Sequence, residues 1–258
     1  MIIKKSAEEL AKMRVAGAVV AKVFTEVDDL IRPGVRTKQI DELVERVIHG
    51  EGCTPSFKGY RGFPASACIS LNEEIVHGIP GSRKLREGDL VKIDVGAIYE
   101  GYHGDSAWTF YVGDAPPPDV DRLMRTTEES LWAGISQARA GNRIGDISHA
   151  VQQVAETAGF SVVREYVGHG VGRELHEDLQ VPNYGPAGRG PVLEEGMTIA
   201  LEPMVNVGDW RTEVLPDDWT VVTADRKLSA HYEHTIAITA GEPEVLTAAH
   251  APVPPPNG

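Results

Sequence analysis

Four acidic residues lie in segments that otherwise read as buried strands. Asp94 follows Leu90-Val91-Lys92-Ile93, and Asp105 precedes Ala107-Trp108-Thr109-Phe110. Glu202 ends the run Thr198 to Leu201, and Glu233 stands in LSAHYEHTIAIT between His231 and His234. Singly, each has an ordinary structural explanation, such as a place at a strand edge. Together they need more, because buried carboxylates are costly and four that converge cannot all stay ionised without counter-charge. Lys92 is the only base nearby in these strands. Alternation puts it on the face of Asp94, where it could pair with that acid but not neutralise four. Read as a hairpin about Tyr99-Glu100-Gly101, residues 91–110 set Asp94 and Asp105 across the ladder from each other, where like charges repel. Two divalent cations would supply the missing charge. His169, in Gly168-His169-Gly170, adds a neutral nitrogen donor. An oxygen-rich set with one imidazole suits Mn, Fe(II), Co or Zn, and two such ions about 3.5–4 Å apart can share a water and lower its pKa. Metal ions are then what would hold Asp94 and Asp105 together.

The elements that must hold these residues come in two copies. Ser6 and Glu9 have capping-box spacing and open a helical pattern that Pro33-Gly34 ends. A second helix is expected from about Thr37 to Ile48, and strands and turns from Ser66 to Phe110. Helical patterns return from about Asp119 to Ala140 and from Gly145 to Ala158, and strands from Ser161 to Thr239. Arg32, Gly34, Arg36, Ile40, Val44, Val47 and Gly52 recur as Arg139, Gly141, Arg143, Ile147, Val151, Val154 and Gly159, each 107 positions on. EGDLVKIDVG then aligns with EGMTIALEPM at an offset of 108, which sets Asp94 on Glu202. The reading is one domain over 1–245 with half-repeats of about 6–113 and 119–240, joined by the loop Asp114 to Pro118, its acids converging on a pseudo-two-fold axis. The Pro-rich stretch 246–258 reads as a disordered tail.

The 258 residues are 41% hydrophobic and 24% charged, enough for a sizeable core. A net charge of −13 argues against stable nucleic-acid binding, which needs a basic face. Cys53 and Cys68 make a poor disulfide framework and read as free thiols in a reducing compartment. No apolar run is long enough to span a membrane, and the N-terminal stretch lacks the apolar core of a signal peptide. The expectation is a cytoplasmic protein.

KIDVGAIYEGYHGDSAWTF, GHGVGRELHE, ALEPM and LSAHYEHT resemble the metal-ligand segments of type I methionine aminopeptidases, and the resemblance runs from about residue 6 to 245. It implies the pita-bread α/β fold, two related halves around an antiparallel sheet covered by helices, in agreement with the repeat. It implies that Asp94, Asp105 and Glu233 bind one metal and that Asp105, His169, Glu202 and Glu233 bind the other. It also implies removal of N-terminal methionine from peptides and nascent proteins ahead of a small second residue, with Glu202 as proton shuttle. His176 would stabilise the tetrahedral intermediate, and His77, in NEEIVHGIP, would contact the scissile amide or leaving nitrogen. Tyr60, Phe63, Cys68 and Trp219 would line the methionine pocket, since sulfur and aromatic edges suit a thioether. Further implications are a monovalent cation site near Asn72 and Ser229, a monomer, and a transient encounter with ribosomes.

Leu175 stands where the family commonly has Phe, Phe63 where it often has Tyr, and Leu179 where it often has Pro, which puts pocket shape in doubt. Two rivals share the fold. Proline-specific aminopeptidases or dipeptidases usually carry a separate N-terminal domain, whereas here only a short lead precedes the repeat. A non-enzymatic binding module should show substituted ligands, and none of the five is substituted. The 33 positions from His169 to Glu202 leave no space for the insert of the type II subclass.

Overall fold

The capping box at Ser6 forms: the Glu9 N–H donates to Ser6 Oγ and the Ser6 N–H to Glu9 Oε2. It starts the first helix of a computed structural model that describes residues 2–248. The first half carries α1 (Ala7–Val27), α2 (Thr37–Gly50), β1 (Thr54–Pro55), β2 (Ala67–Leu71), β3 (Glu74–Val76), β4 (Leu90–Tyr99) and β5 (Tyr102–Tyr111). The second carries α3 (Pro118–Gln137), α4 (Ile144–Thr157), β6 (Ser161–Val162), β7 (Gly168–Gly170), β8 (Glu177–Val181), β9 (Thr198–Leu201) and β10 (Met204–Asn206). It continues through β11 (Thr212–Val214), β12 (Val221–Thr223), β13 (Ser229–His231), β14 (His234–Ala237) and β15 (Glu244–Val245). Among the described residues no helix is long and apolar enough to cross a membrane, and both cysteines are free and buried.

The repeat is visible in local geometry. Arg36 N–H donates to Gln39 Oε1 at the start of α2, and Arg143 N–H to Asp146 Oδ2 at the start of α4. Arg36 bridges Lys84 and Arg143 bridges Val192, again 107 and 108 positions apart. Gly34 (φ 90°) and Gly141 (φ 94°) take the same left-handed turn ahead of those helices. β4 and β9 begin at equivalent positions, Leu90 and Thr198. Each half has its own core, one around Phe24, Ile40, Val44 and Ile93, the other around Leu123, Ile147, Ile199 and Leu201, and Trp108 packs against both. Burying one such aliphatic side chain is worth about 1.5–3 kcal/mol.

All strand pairs are antiparallel. β4 is flanked by β5 on one side and by β1 and β2 on the other, while the second half builds the order β15-β14-β9-β7-β8. Val91, Ile93, Val95 and Ala97 join the core under α1 and α2, so Lys92, Asp94 and Gly96 point to the opposite face. That face is buried too, which is why the acids sit in apolar sequence.

The β4–β5 turn is the two-residue type, with Glu100 (φ 45°) and Gly101 (φ 80°) both left-handed between paired Tyr99 and Tyr102. This register pairs Asp94 with Ala107 and Asp105 with Gly96. The acids are therefore diagonal neighbours on one face, not directly opposed. A second departure concerns the end of the chain. Leu246 and Thr247 are buried, and the Leu246 N–H donates to Thr235 O, so order extends past 245. The rest of the expected disordered tail, 249–258, lies outside the described residues.

Helix α1 lies against β5, and a Cβ on Gly104 would come within 2.7 Å of the Gly17 nitrogen. Backbone cannot yield as a flexible side chain does. Gly104→Ala is expected to cost about 1–3 kcal/mol, read as a lower urea midpoint. Gly50→Ala, whose Cβ meets nothing within 4 Å, should leave the midpoint unchanged or slightly raised.

Candidate active site

Five elements meet at one cavity of about 140 Å³. β4 and β5 deliver Asp94 and Asp105, and β7 delivers His169. Glu202 follows the last residue of β9, where Pro203 stops the strand, and Glu233 sits between β13 and β14. The two halves join at β5 and β13–β14 through hydroxyls. Thr235 Oγ1 accepts from the Asp105 N–H (2.9 Å) and donates to the Asp105 carbonyl (2.8 Å). Thr109 Oγ1 does the same for His231, at 3.0 and 2.6 Å. The Glu233 N–H donates to Ala107 O (2.8 Å). These bonds satisfy backbone groups that would otherwise be buried and unpaired.

The donor set fits divalent metal. Asp105, His169 and Glu233 each present a ligand atom within 4.8 Å of the others. His169 Nε2 lies 3.9 Å from Asp105 Oδ2 and 3.6 Å from Glu202 Oε1, too far for hydrogen bonds. Asp94 Oδ1 and Asp105 Oδ1 are buried with no hydrogen-bond partner, an arrangement that costs free energy unless something else satisfies them. His169 Nδ1 is 3.0 Å from Gly170 O, so it carries the proton there and leaves the Nε2 lone pair facing the carboxylates.

Electrostatics agree. Burial pushes Asp105 up to about 7. Burial, then the charge of Asp105 and Glu202, holds Asp94 well above the carboxylate range, and burial with Asp105 does the same for Glu202. Glu233 is raised by burial and then by Asp105, Glu202 and Asp94. Burial lowers His169 to about 4, so the imidazole is neutral and free to ligate.

The remaining residues singled out in the sequence line the same cavity: His77, His176, Tyr60, Phe63, Cys68 and Trp219. Phe63 and Trp219 meet edge to face with centroids 5.1 Å apart. Tyr60 Oη is 2.9 Å from His176 Nδ1, and the rings stack at 5.4 Å. Burial, with His169 and Arg61 adding repulsion, lowers His176 to about 3, and burial lowers His77 to about 4. His77 is held at φ 60° with its ring edge-on to Tyr166 and Trp219.

Sequence reasoning missed several neighbours. Phe57 and Arg61 also line the cavity, beside the Leu175 already noted as a departure from the family pattern, and Thr235 fixes Asp105. His231 is 1% exposed, both its ring nitrogens lack partners, and Nε2 lies 3.8 Å from Glu202 Oε2. The signal for the last two was available, since both stand two residues from Glu233 in a strand-like run. The expected Lys92–Asp94 pair does not form. Lys92 Nζ donates instead to the carbonyls of Asn72 (2.7 Å) and Ser229 (3.1 Å), the place suggested for a monovalent cation. The turn after β2 places the Asn72 carbonyl, and the start of β13 the Ser229 carbonyl, at the end of this side chain.

A carboxylate and imidazole cluster at the seam of two related α/β halves defines a metallopeptidase of the pita-bread fold. Residues 11–240 match the model for metallopeptidase family M24, whose enzymes use divalent metal. Within that family the chain belongs to the methionine aminopeptidases. It is 54% identical to methionine aminopeptidase 1 of Bacillus subtilis, covering 96% of this chain and 99% of the relative. The corresponding enzyme of Mycobacterium tuberculosis is 45% identical, over 96% of this chain and 95% of its own. The crystal structure of methionine aminopeptidase from Thermotoga maritima superposes with a TM-score of 0.94 at 48% identity, covering 96% of this chain and 99% of that one. Prolidase from Pyrococcus furiosus, at 24% identity and a TM-score of 0.78, shares the fold alone; the match covers 95% of this chain and 65% of the prolidase.

Metal competes with protons for these acids. Near pH 6 Asp105, raised to about 7, holds its proton, whereas His169, lowered to about 4, is already neutral. Apparent affinity for Mn(II) is therefore expected to rise between about pH 5 and 8. Calorimetric titrations in buffers of different ionisation enthalpy should register net proton release, reduced by Asp105→Asn. An affinity flat across that range would count against the protonated cluster.

Proposed function

We propose that this protein removes the N-terminal methionine from peptides and nascent proteins, with a small second residue preferred. The observation that supports it best is one cavity with a metal-ligating wall facing an aromatic and sulfur-lined wall. In this reading Asp94, Asp105 and Glu233 hold one divalent ion, and Asp105, His169, Glu202 and Glu233 hold a second, the ions being Co, Mn, Fe(II) or Zn. Bound there, the ions supply a nucleophilic water at neutral pH and polarise the scissile carbonyl.

The chain's own residues do the rest. Phe63, Tyr60, Cys68 and Trp219 receive the methionine side chain, their rings and thiol offering polarisable contacts to its sulfur. The cavity is sized for one side chain rather than an extended ligand. Glu202 takes a proton from the attacking water and passes it to the leaving amine, a role suited to a carboxylate whose burial raises its affinity for protons. His176 Nδ1 is engaged by Tyr60 Oη; with the hydroxyl as donor, the imidazole proton is on Nε2, available to the developing oxyanion. His77, neutral at working pH, donates to or accepts from the scissile amide. The protein is read as a cytoplasmic monomer that meets its substrates transiently as they leave the ribosome.

The deciding experiment strips metal from the protein and restores Mn, Fe(II), Co or Zn before assay on Met-Ala-Ser, Met-Ile-Ser, Ala-Ala-Ser and Ala-Pro-Ser. Methionine release from the first peptide alone is expected. Cleavage of Ala-Pro-Ser instead would move the chain to the proline-specific enzymes, and no cleavage with any metal would remove Glu202 from catalysis. His176→Ala should lower kcat by about 10²–10³-fold with metal content unchanged.

A further inference from the structure

The reaction as proposed gives Lys92 no task, yet this side chain is 1% exposed in the middle of the molecule. Its Nζ faces two backbone carbonyls, those of Asn72 and Ser229. Both carbonyls are held in place. Asn72 takes a left-handed φ of 54°, its amide donates to Asp89 Oδ1, and its Oδ1 accepts from the Leu90 N–H. The Ser229 N–H also donates to Asn72 O (3.2 Å), and Ser229 Oγ to Val205 O (3.2 Å). Each partner lies a few residues from the active site along the chain. Asn72 sits in the turn before β3, which leads to His77. Ser229 opens β13, which leads to Glu233. Lys92 itself precedes Asp94 by two residues on the same strand. One nitrogen thus ties three segments from both halves of the chain.

Fixed carbonyl oxygens converging on a point are what monovalent cations take in place of water. Here the point is filled from within the chain. We propose that Lys92 Nζ occupies the place a free K⁺ or Na⁺ would take, a positioning residue that locks the two halves together through the Asn72 and Ser229 carbonyls. This goes beyond the hydrolytic reading and does not depend on which peptide bond is cleaved.

The test uses the full-length wild type, Lys92→Ala, which leaves space between the carbonyls, and Lys92→Met, which fills the space without a donor. Each is studied in KCl, NaCl, methylammonium chloride and choline chloride at equal ionic strength. The readouts are the thermal midpoint with and without Mn(II), and Mn(II) affinity by calorimetry. Wild type is expected to behave alike in all four salts. In choline, Lys92→Ala should lose about 5 °C and about tenfold in Mn(II) affinity. It should regain most of both in K⁺, Na⁺ or methylammonium, while Lys92→Met shows the losses and no recovery. Lys92→Ala that folds only in the small-cation salts also supports the proposal. It is overturned if wild type responds to K⁺ or Na⁺ as strongly as Lys92→Ala. It is overturned equally if Lys92→Ala keeps wild-type affinity in choline, or if no salt restores it while Lys92→Met folds. Absence of peptidase activity in wild type would leave these readouts standing and bear only on the proposed reaction.

Discussion

The structure depends on the way β5 meets β13 and β14. Strands from two halves, each with its own core cluster, meet here with a direct backbone bond, from the Glu233 N–H to Ala107 O. The hydroxyls of Thr109 and Thr235 supply the rest, each serving both the N–H and the carbonyl of the residue opposite. Ser106 Oγ adds a bond to the Glu233 carbonyl, and the Trp108 ring packs edge to face on Tyr232, centroids 4.7 Å apart. Asp105 and Glu233 lie in this seam. Their backbones are fixed by the same bonds that join the halves, so the placement of these carboxylates and the union of the halves have one origin.

That arrangement imposes an electrostatic burden. Acids from both halves share one buried cavity, and each raises the proton affinity of its neighbours. Around them the protein places neutral imidazoles, because burial lowers His77, His169 and His176 well below neutrality. A cluster of neutral nitrogens and proton-hungry carboxylates is receptive to divalent cations and poorly matched to monovalent anions. Tyr60 holds one of those imidazoles in place, its Oη 2.9 Å from His176 Nδ1.

Much of this was legible in the sequence, for identifiable reasons. The helices announced themselves through caps and periodicity, and the internal repeat, which placed Asp94 on Glu202, survived because the turns at Gly34 and Gly141 demand the same residue. The register of β4 and β5 was misread although the signal was present: a two-residue turn at Glu100-Gly101 makes Asp94 face Ala107. Lys92 was given the wrong partner because alternation reports a face and not which loop crosses it. Phe57 and Arg61 come from irregular segments, where no periodicity points to the cavity, and Tyr60, Phe63, Leu175 and Trp219 were reached only through resemblance.

The seam also has a consequence for how the chain assembles. Thr235 is 130 positions from Asp105, so closing it carries the entropic cost of a long loop. Synthesis delivers the N-terminal half first. Until β14 arrives, β5 is the outer edge of a four-stranded sheet, the kind of edge that invites pairing with another chain. Charged side chains pointing inward along such an edge are a known guard against that pairing. Asp105 occupies that position on β5, so a carboxylate of the mature cavity is also an inward charge on the exposed edge of the half-made protein.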